Sequence, residues 1–110
     1  MHVFIGLWSA KPAWSDLNAV GRTAYLSKLS AHVRKAVGDT AESIAWGEND
    51  AAQSREEWQF FAVWRFTTPM QTAAYSRTLA EQGWNDYFES IEVTGSPKTP
   101  FDVLTRHVTL

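Results

Sequence analysis

The chain has 110 residues, with ten Lys or Arg against twelve Asp or Glu. Its charge of −2, with both signs interspersed, excludes broad electrostatic attraction to nucleic acid or to an anionic membrane. The absence of cysteine excludes a disulfide framework, thiolate catalysis and thiolate metal ligation. No apolar run approaches the roughly 20 residues that cross a bilayer, and MHVFIGLW lacks the basic start of a secretory signal, so the expected compartment is the cytoplasm.

His2 to Ser9 alternates as a strand, with Val3, Ile5 and Leu7 on one side and His2, Phe4, Gly6 and Trp8 on the other. Pro12 is placed for the first turn of a short helix ending near Leu17. Asn18 then serves as N-cap for a helix over Ala19 to Val37, with an apolar stripe at Leu26, Leu29, Val33 and Val37 widened by Ala36, and Gly38 closes it. Glu42 to Gly47 carries Ile44 and Trp46 at strand spacing, and Glu48 to Glu56 reads as a loop.

The next strand, Glu57 to Phe66, is apolar on both sides. Trp58, Phe60, Ala62, Trp64 and Phe66 share one face, and Gln59, Phe61, Val63 and Arg65 share the other. One layer of helices covers only one face of a sheet, so the second is expected to meet another subunit or a ligand. Thr68-Pro69 caps a helix through Met70, Ala73, Ala74, Arg77 and Ala80, with Leu79 off its main stripe and Gly83 closing it. Trp84 to Phe88 reads as a helical turn whose Trp84, Tyr87 and Phe88 form one aromatic face, feeding a strand from Ser90 to Thr94. After the turn at Gly95-Ser96-Pro97, Thr99-Pro100 caps a short helix to about Leu104, and Arg106 to Leu110 is expected as an extended tail.

The order βαββαβ is the ferredoxin-like α+β arrangement, one domain over residues 1–110 with two helices on one face of a four-stranded antiparallel sheet. The segments FIGLW, KPAW, AWGEND, QFFAVWRF and GWNDYFE resemble a family of short bacterial proteins of unknown function in the dimeric α+β barrel superfamily. That resemblance spans nearly the whole chain and implies a homodimer packed sheet to sheet. Related folds in the superfamily include cofactor-independent monooxygenases, polyketide cyclases, lactone isomerases, haem-degrading or haem-binding enzymes and stress-response proteins, so the fold does not fix the function.

Three residues are candidates for chemistry. His2 shares a face with Phe4, Gly6 and Trp8, and an imidazole there is a proton acceptor or an axial haem ligand; a place at a sheet edge or interface competes with that role. Arg65 is the lone charge in FFAVWRF, suited to holding a carboxylate or phenolate, or else to pairing with an acidic neighbour. Tyr87 offers a phenol to orient a carbonyl. His32 reads as a surface or boundary histidine, and Glu48, Asn49 and Asp50 read as turn formers before an acid/base pair. The three histidines, His2, His32 and His107, are too dispersed for a metal signature, and no nucleophile elbow or phosphate loop is legible.

Six tryptophans in so small a chain make either a heavy core or an aromatic pocket. The leading expectation is a homodimer whose cavity, lined by Phe4, Gly6, Trp8, Trp46, Phe61 and Trp84, binds a small apolar or aromatic molecule without a cofactor, for oxygenation or isomerisation. Gly6 weakens its strand unless something approaches closely, which suits either a ligand or a packed ring. The competing readings are a non-catalytic dimeric interaction module and haem binding through His2 or His107.

Overall fold

Alternation along the strands decides the architecture. In the computed structural model, which describes residues 1–52 and 57–110, four antiparallel strands form one sheet in the order β2-β3-β1-β4. They are β1 (His2–Ala10), β2 (Glu42–Glu48), β3 (Phe60–Phe66) and β4 (Phe88–Gly95). Part of the expected 48–56 loop, residues 53–56, lies outside the described residues, and Trp58 and Gln59 precede β3 rather than forming its start. Between β1 and β2 lie α1 (Pro12–Ser15) and α2 (Ala19–Val37); between β3 and β4 lie α3 (Pro69–Glu81) and α4 (Trp84–Tyr87).

The helix starts follow the capping chemistry. Asn18 Oδ1 accepts from the Gly21 N–H at 2.8 Å, and Thr68 Oγ1 from the Gln71 N–H at 3.3 Å, so donors at the first turns of α2 and α3 find partners. Gln71 also joins the two helices: its Nε2 donates to the Val37 carbonyl at 2.9 Å and to Thr40 Oγ1 at 2.7 Å, while its Oε1 accepts from the Thr67 N–H.

Helices α2 and α3 cover the sheet face that carries Phe4, Trp64 and Phe66. The core is Phe4, Leu29, Val33, Val37, Phe66, Tyr75 and Leu79. Its rings meet at their edges: the Phe4 centroid lies 5.0 Å from that of Tyr75 and 6.5 Å from that of Phe66, both T-shaped, an arrangement that adds about 0.5–1.5 kcal/mol per pair beyond area burial. The expected phase of α3 is corrected here. Thr72, Tyr75 and Leu79 are its buried residues, whereas Met70, Ala73, Arg77 and Ala80 are exposed. Tyr75 and Leu79 bury far more apolar area than any alanine stripe offers, so they set the helix's rotation.

Among the described residues no layer covers the opposite sheet face. Val3, Ile5 and Leu7 of β1 stand beside Phe61, Val63 and Arg65 of β3 and Ile91 and Val93 of β4 by register. Ile91 is 45 % exposed and Val93 56 %. A register shift between Ser43 and Ala45 places Ile44 at a bulge in the edge strand β2, a device that interrupts regular edge pairing.

Two further expectations are corrected. Phe88 has extended backbone angles and opens β4, so α4 ends at Tyr87 and the three rings do not share a face: Trp84 packs on Phe88 at 4.2 Å, while Tyr87 turns to Trp14 and Tyr25. The last residues are helical and not extended, with α5 (Pro100–Arg106) capped by Thr99 Oγ1 and followed by a 3-10 turn over His107–Thr109.

Candidate ligand-binding cavity

A cavity of about 500 Å³ opens between the covered sheet face and the helices. Its existence follows from one row across the sheet. Register aligns Trp46, Ala62, Gly6 and Glu92 on β2, β3, β1 and β4, so the two central strands contribute their smallest side chains to the same row. Large residues stand on either side of that row, with Trp8 paired to Phe60 and Phe4 paired to Trp64. The result is a depression floored by Gly6 and Ala62 and walled by rings. Helix α2 forms the roof through Leu29 and Val33, with Leu26, Ser30 and Arg34 at the exposed rim.

The rings form a connected set. Trp8 is its hub, with centroids 5.6 Å from Trp46, 5.6 Å from Trp84 and 5.9 Å from Phe60. Trp46 continues to Trp64 at 6.0 Å, and Trp64 to Tyr75 at 5.4 Å. Gly6 serves ring packing within this floor, since a Cβ there would stand 3.0 Å from Phe4 Cε1.

Polar groups on these walls are few. Trp84 donates its indole N–H to Ser90 Oγ at 2.9 Å, and Ser76 Oγ donates to the Glu92 carboxylate at 2.8 Å. The Trp64 indole N–H is buried with no hydrogen-bond partner. Its position beside the Tyr75 phenol favours the phenolate slightly, against the larger effect of burial. Burial dominates Tyr75, and with the Glu92 charge it pushes the phenol up to about 12, so Tyr75 keeps its proton at neutral pH.

Phe4, Gly6, Trp8, Trp46 and Trp84 of the anticipated set all line this cavity, whereas Phe61 lies on the opposite sheet face over Gly47. The residues anticipated for chemistry are elsewhere. His2 Nδ1 and Thr72 Oγ1 share a 2.7 Å hydrogen bond outside the cavity. Arg65 pairs with Glu42 at 3.2 Å on the exposed face. Tyr87 packs with Trp14 and Tyr25. His107 Nδ1 bonds the Val103 carbonyl in the exposed C-terminal segment, so neither histidine named for haem lines the cavity. Asn49 behaves as a turn former, its Oδ1 accepting from the Ala51 N–H and its Nδ2 donating to the Trp58 carbonyl at 2.7 Å.

Sequence reasoning missed Tyr75 and Glu92 as wall residues. Glu92 had a legible signal, since it alternates with Ser90 on β4, but its pairing with Gly6 required the register. Among the described residues no cluster of three metal-ligating side chains occurs, and no helix is long and apolar enough to cross a membrane.

Solved structures resemble this arrangement in fold. The At3g17210 protein of Arabidopsis thaliana aligns with a TM-score of 0.60 at 13 % identity, over 90 % of this chain and 97 % of its own. HapK from Hahella chejuensis aligns with a TM-score of 0.51 at 13 % identity, over 89 % and 93 % of the two chains. A protein of Agrobacterium tumefaciens gives 0.52 at 12 % identity, over 91 % and 96 %. Among proteins with curated functions none matches the chain. A family model covers all of residues 1–110, and the chain therefore belongs to DUF6616, a family of unknown function.

Proposed function

We propose that this protein binds a small, flat, largely apolar molecule between its sheet and α2, as a ferredoxin-like α+β barrel that dimerises through its open sheet face. The observation that carries the reading is the ring-walled cavity of about 500 Å³, within the roughly 300–1,000 Å³ of pockets that take small organic molecules. A space of this size in so short a chain is not a packing defect, because cores close to near-crystalline density when nothing must enter them. Small residues at the same row of two central strands keep this one open. The proposal is binding, since His2, Arg65 and Tyr87, the side chains anticipated for chemistry, stand outside the cavity.

The test is titration with the neutral dye N-phenyl-1-naphthylamine, followed by its fluorescence. One saturable site per chain is expected. Ser30→Trp, which adds an indole at the exposed rim of α2, is expected to weaken binding at least about tenfold, while Val93→Ser on the open face leaves it unchanged. Absence of saturable binding, or equal sensitivity to Val93→Ser, overturns the proposal.

A further inference from the structure

We infer that the molecule held in this cavity is a flat aromatic cation, an N-alkylated ring system whose positive charge is delocalised and which carries no N–H. The inference rests on the binding reading above and adds the charge of the ligand. Five of the six tryptophans line the cavity, together with the rings of Phe4, Phe60, Tyr75 and Phe88. The face of an aromatic ring is the negative end of its quadrupole, and indole attracts a cation more strongly than the rings of Tyr or Phe. A neutral ring system and a cation of the same shape both gain burial and stacking from such walls, but only the cation gains attraction to the quadrupoles. A charge spread over a ring is weakly hydrated, as guanidinium is beside ammonium, so leaving water costs it less than it costs a compact ammonium.

The rings stand around a space and not in one stack. Trp46 from β2 and Trp84 from α4 reach Trp8 from the two sides of β1 in the sheet, each at 71° and 5.6 Å between centroids. Trp64 stands at 80° to Trp46. Steeply inclined rings around one space present π-systems to it from more than one direction, and a charge without directional hydrogen bonds meets them all at once. The Trp84 N–H is taken by Ser90 Oγ at 2.9 Å, and the Trp64 N–H lies beside the Tyr75 phenol, so neither donor addresses a ligand. A cation bearing N–H groups would leave its hydrogen bonds to water for walls made of rings; an N-alkylated one has none to lose. Glu92 and Arg34 also line the cavity, one charge of each sign and both exposed to solvent, so they offset one another and the rings set the preference.

Equilibrium dialysis of 1-methylquinolinium and 1-methylnaphthalene, two probes of one shape that differ in charge, tests this. It is run on the ordinary protein and on protein whose tryptophans are replaced biosynthetically by 5-fluorotryptophan. Fluorine draws charge from the ring face and leaves the shape of the indole nearly unaltered, so apolar burial persists while the quadrupole weakens. The ordinary protein is expected to bind the cation at least about threefold more tightly than the hydrocarbon, and fluorination to lower the cation's affinity relative to the hydrocarbon by about threefold or more. Tighter binding of the hydrocarbon, or a ratio that fluorination leaves unchanged, overturns the cation and leaves the binding reading standing. Failure of both probes to bind the ordinary protein overturns the binding reading itself. Should the fluorinated protein not fold, the comparison of the two probes on the ordinary protein decides alone.

Discussion

Tyr75 joins the core to the cavity, and its phenol makes stability depend on alkaline pH. In the unfolded chain this group ionises near its ordinary value of about 10, whereas burial holds it protonated in the folded chain up to about 12. As pH rises past about 10 the unfolded state releases its proton first and gains relative to the folded one. The phenol's contribution is therefore complete below about pH 10, declines up to about 12 and is absent beyond. A shift of about two units corresponds to roughly 2–3 kcal/mol. Unfolding free energies from denaturant titrations between pH 9 and 12 are expected to fall less in Tyr75→Phe than in wild type by about this amount; parallel declines would show that Tyr75 is not responsible. Tyr25 is also raised to about 12, first by burial and then by Tyr87 and Asp86, and its decline survives in the variant. Much of the cavity was legible at this scale, because Phe4, Gly6 and Trp8 share one strand face. Tyr75 was not, because a helix's rotation is fixed by what its side chains find to pack against, and that partner, Phe4, lies seventy-one residues earlier.

Among the elements, α2 combines length with a narrow hold. Of its nineteen residues only Leu29, Val33 and Val37 are buried, all in its second half, and of its first half only Leu26 lines the cavity. The start of the helix therefore leans on its cap. Replacing Asn18 with Ala removes the acceptor of the Gly21 N–H and is expected to cost about 1 kcal/mol. Loss of stability in Asn18→Ala, with faster amide exchange concentrated at residues 19–26, checks this; uniform exchange would place the loss elsewhere. Caps were the most legible feature of the chain, since Asn18, Thr68-Pro69 and Thr99-Pro100 all start helices where their chemistry places them. Ends were less legible. Arg106 to Leu110 has no cap or periodicity strong enough to distinguish a frayed helical turn from extended chain, and the choice is made by local backbone hydrogen bonds such as that from Leu110 N–H to the His107 carbonyl.

The whole molecule is longer than its core requires. Its radius of gyration is 15.8 Å, against about 13 Å for a compact chain of this length, and its longest dimension is 50 Å. The segment after β4 is exposed along its whole length. There α5 runs directly into the 3-10 turn, leaving Phe101 75 % and Leu104 66 % exposed. The open face is four strands wide and about seven residues long, a small area to hold two copies together. For the proposed dimer, the exposed apolar residues of the C-terminal segment are expected to add to the contact that the open sheet face makes. Light scattering is expected to give a dimer for the full chain. Ending the chain after Ser96 is expected to raise the dissociation constant at least about a hundredfold while the far-ultraviolet dichroism of the sheet and of α2 and α3 persists. Ile5→Glu, which sets a charge in the middle of the open face, is expected to give monomers with the C-terminal segment still present. A dimer unaffected by the truncation but broken by Ile5→Glu would confine the interface to the sheet; one broken only by the truncation would place it on the segment and leave the open face without a role in assembly.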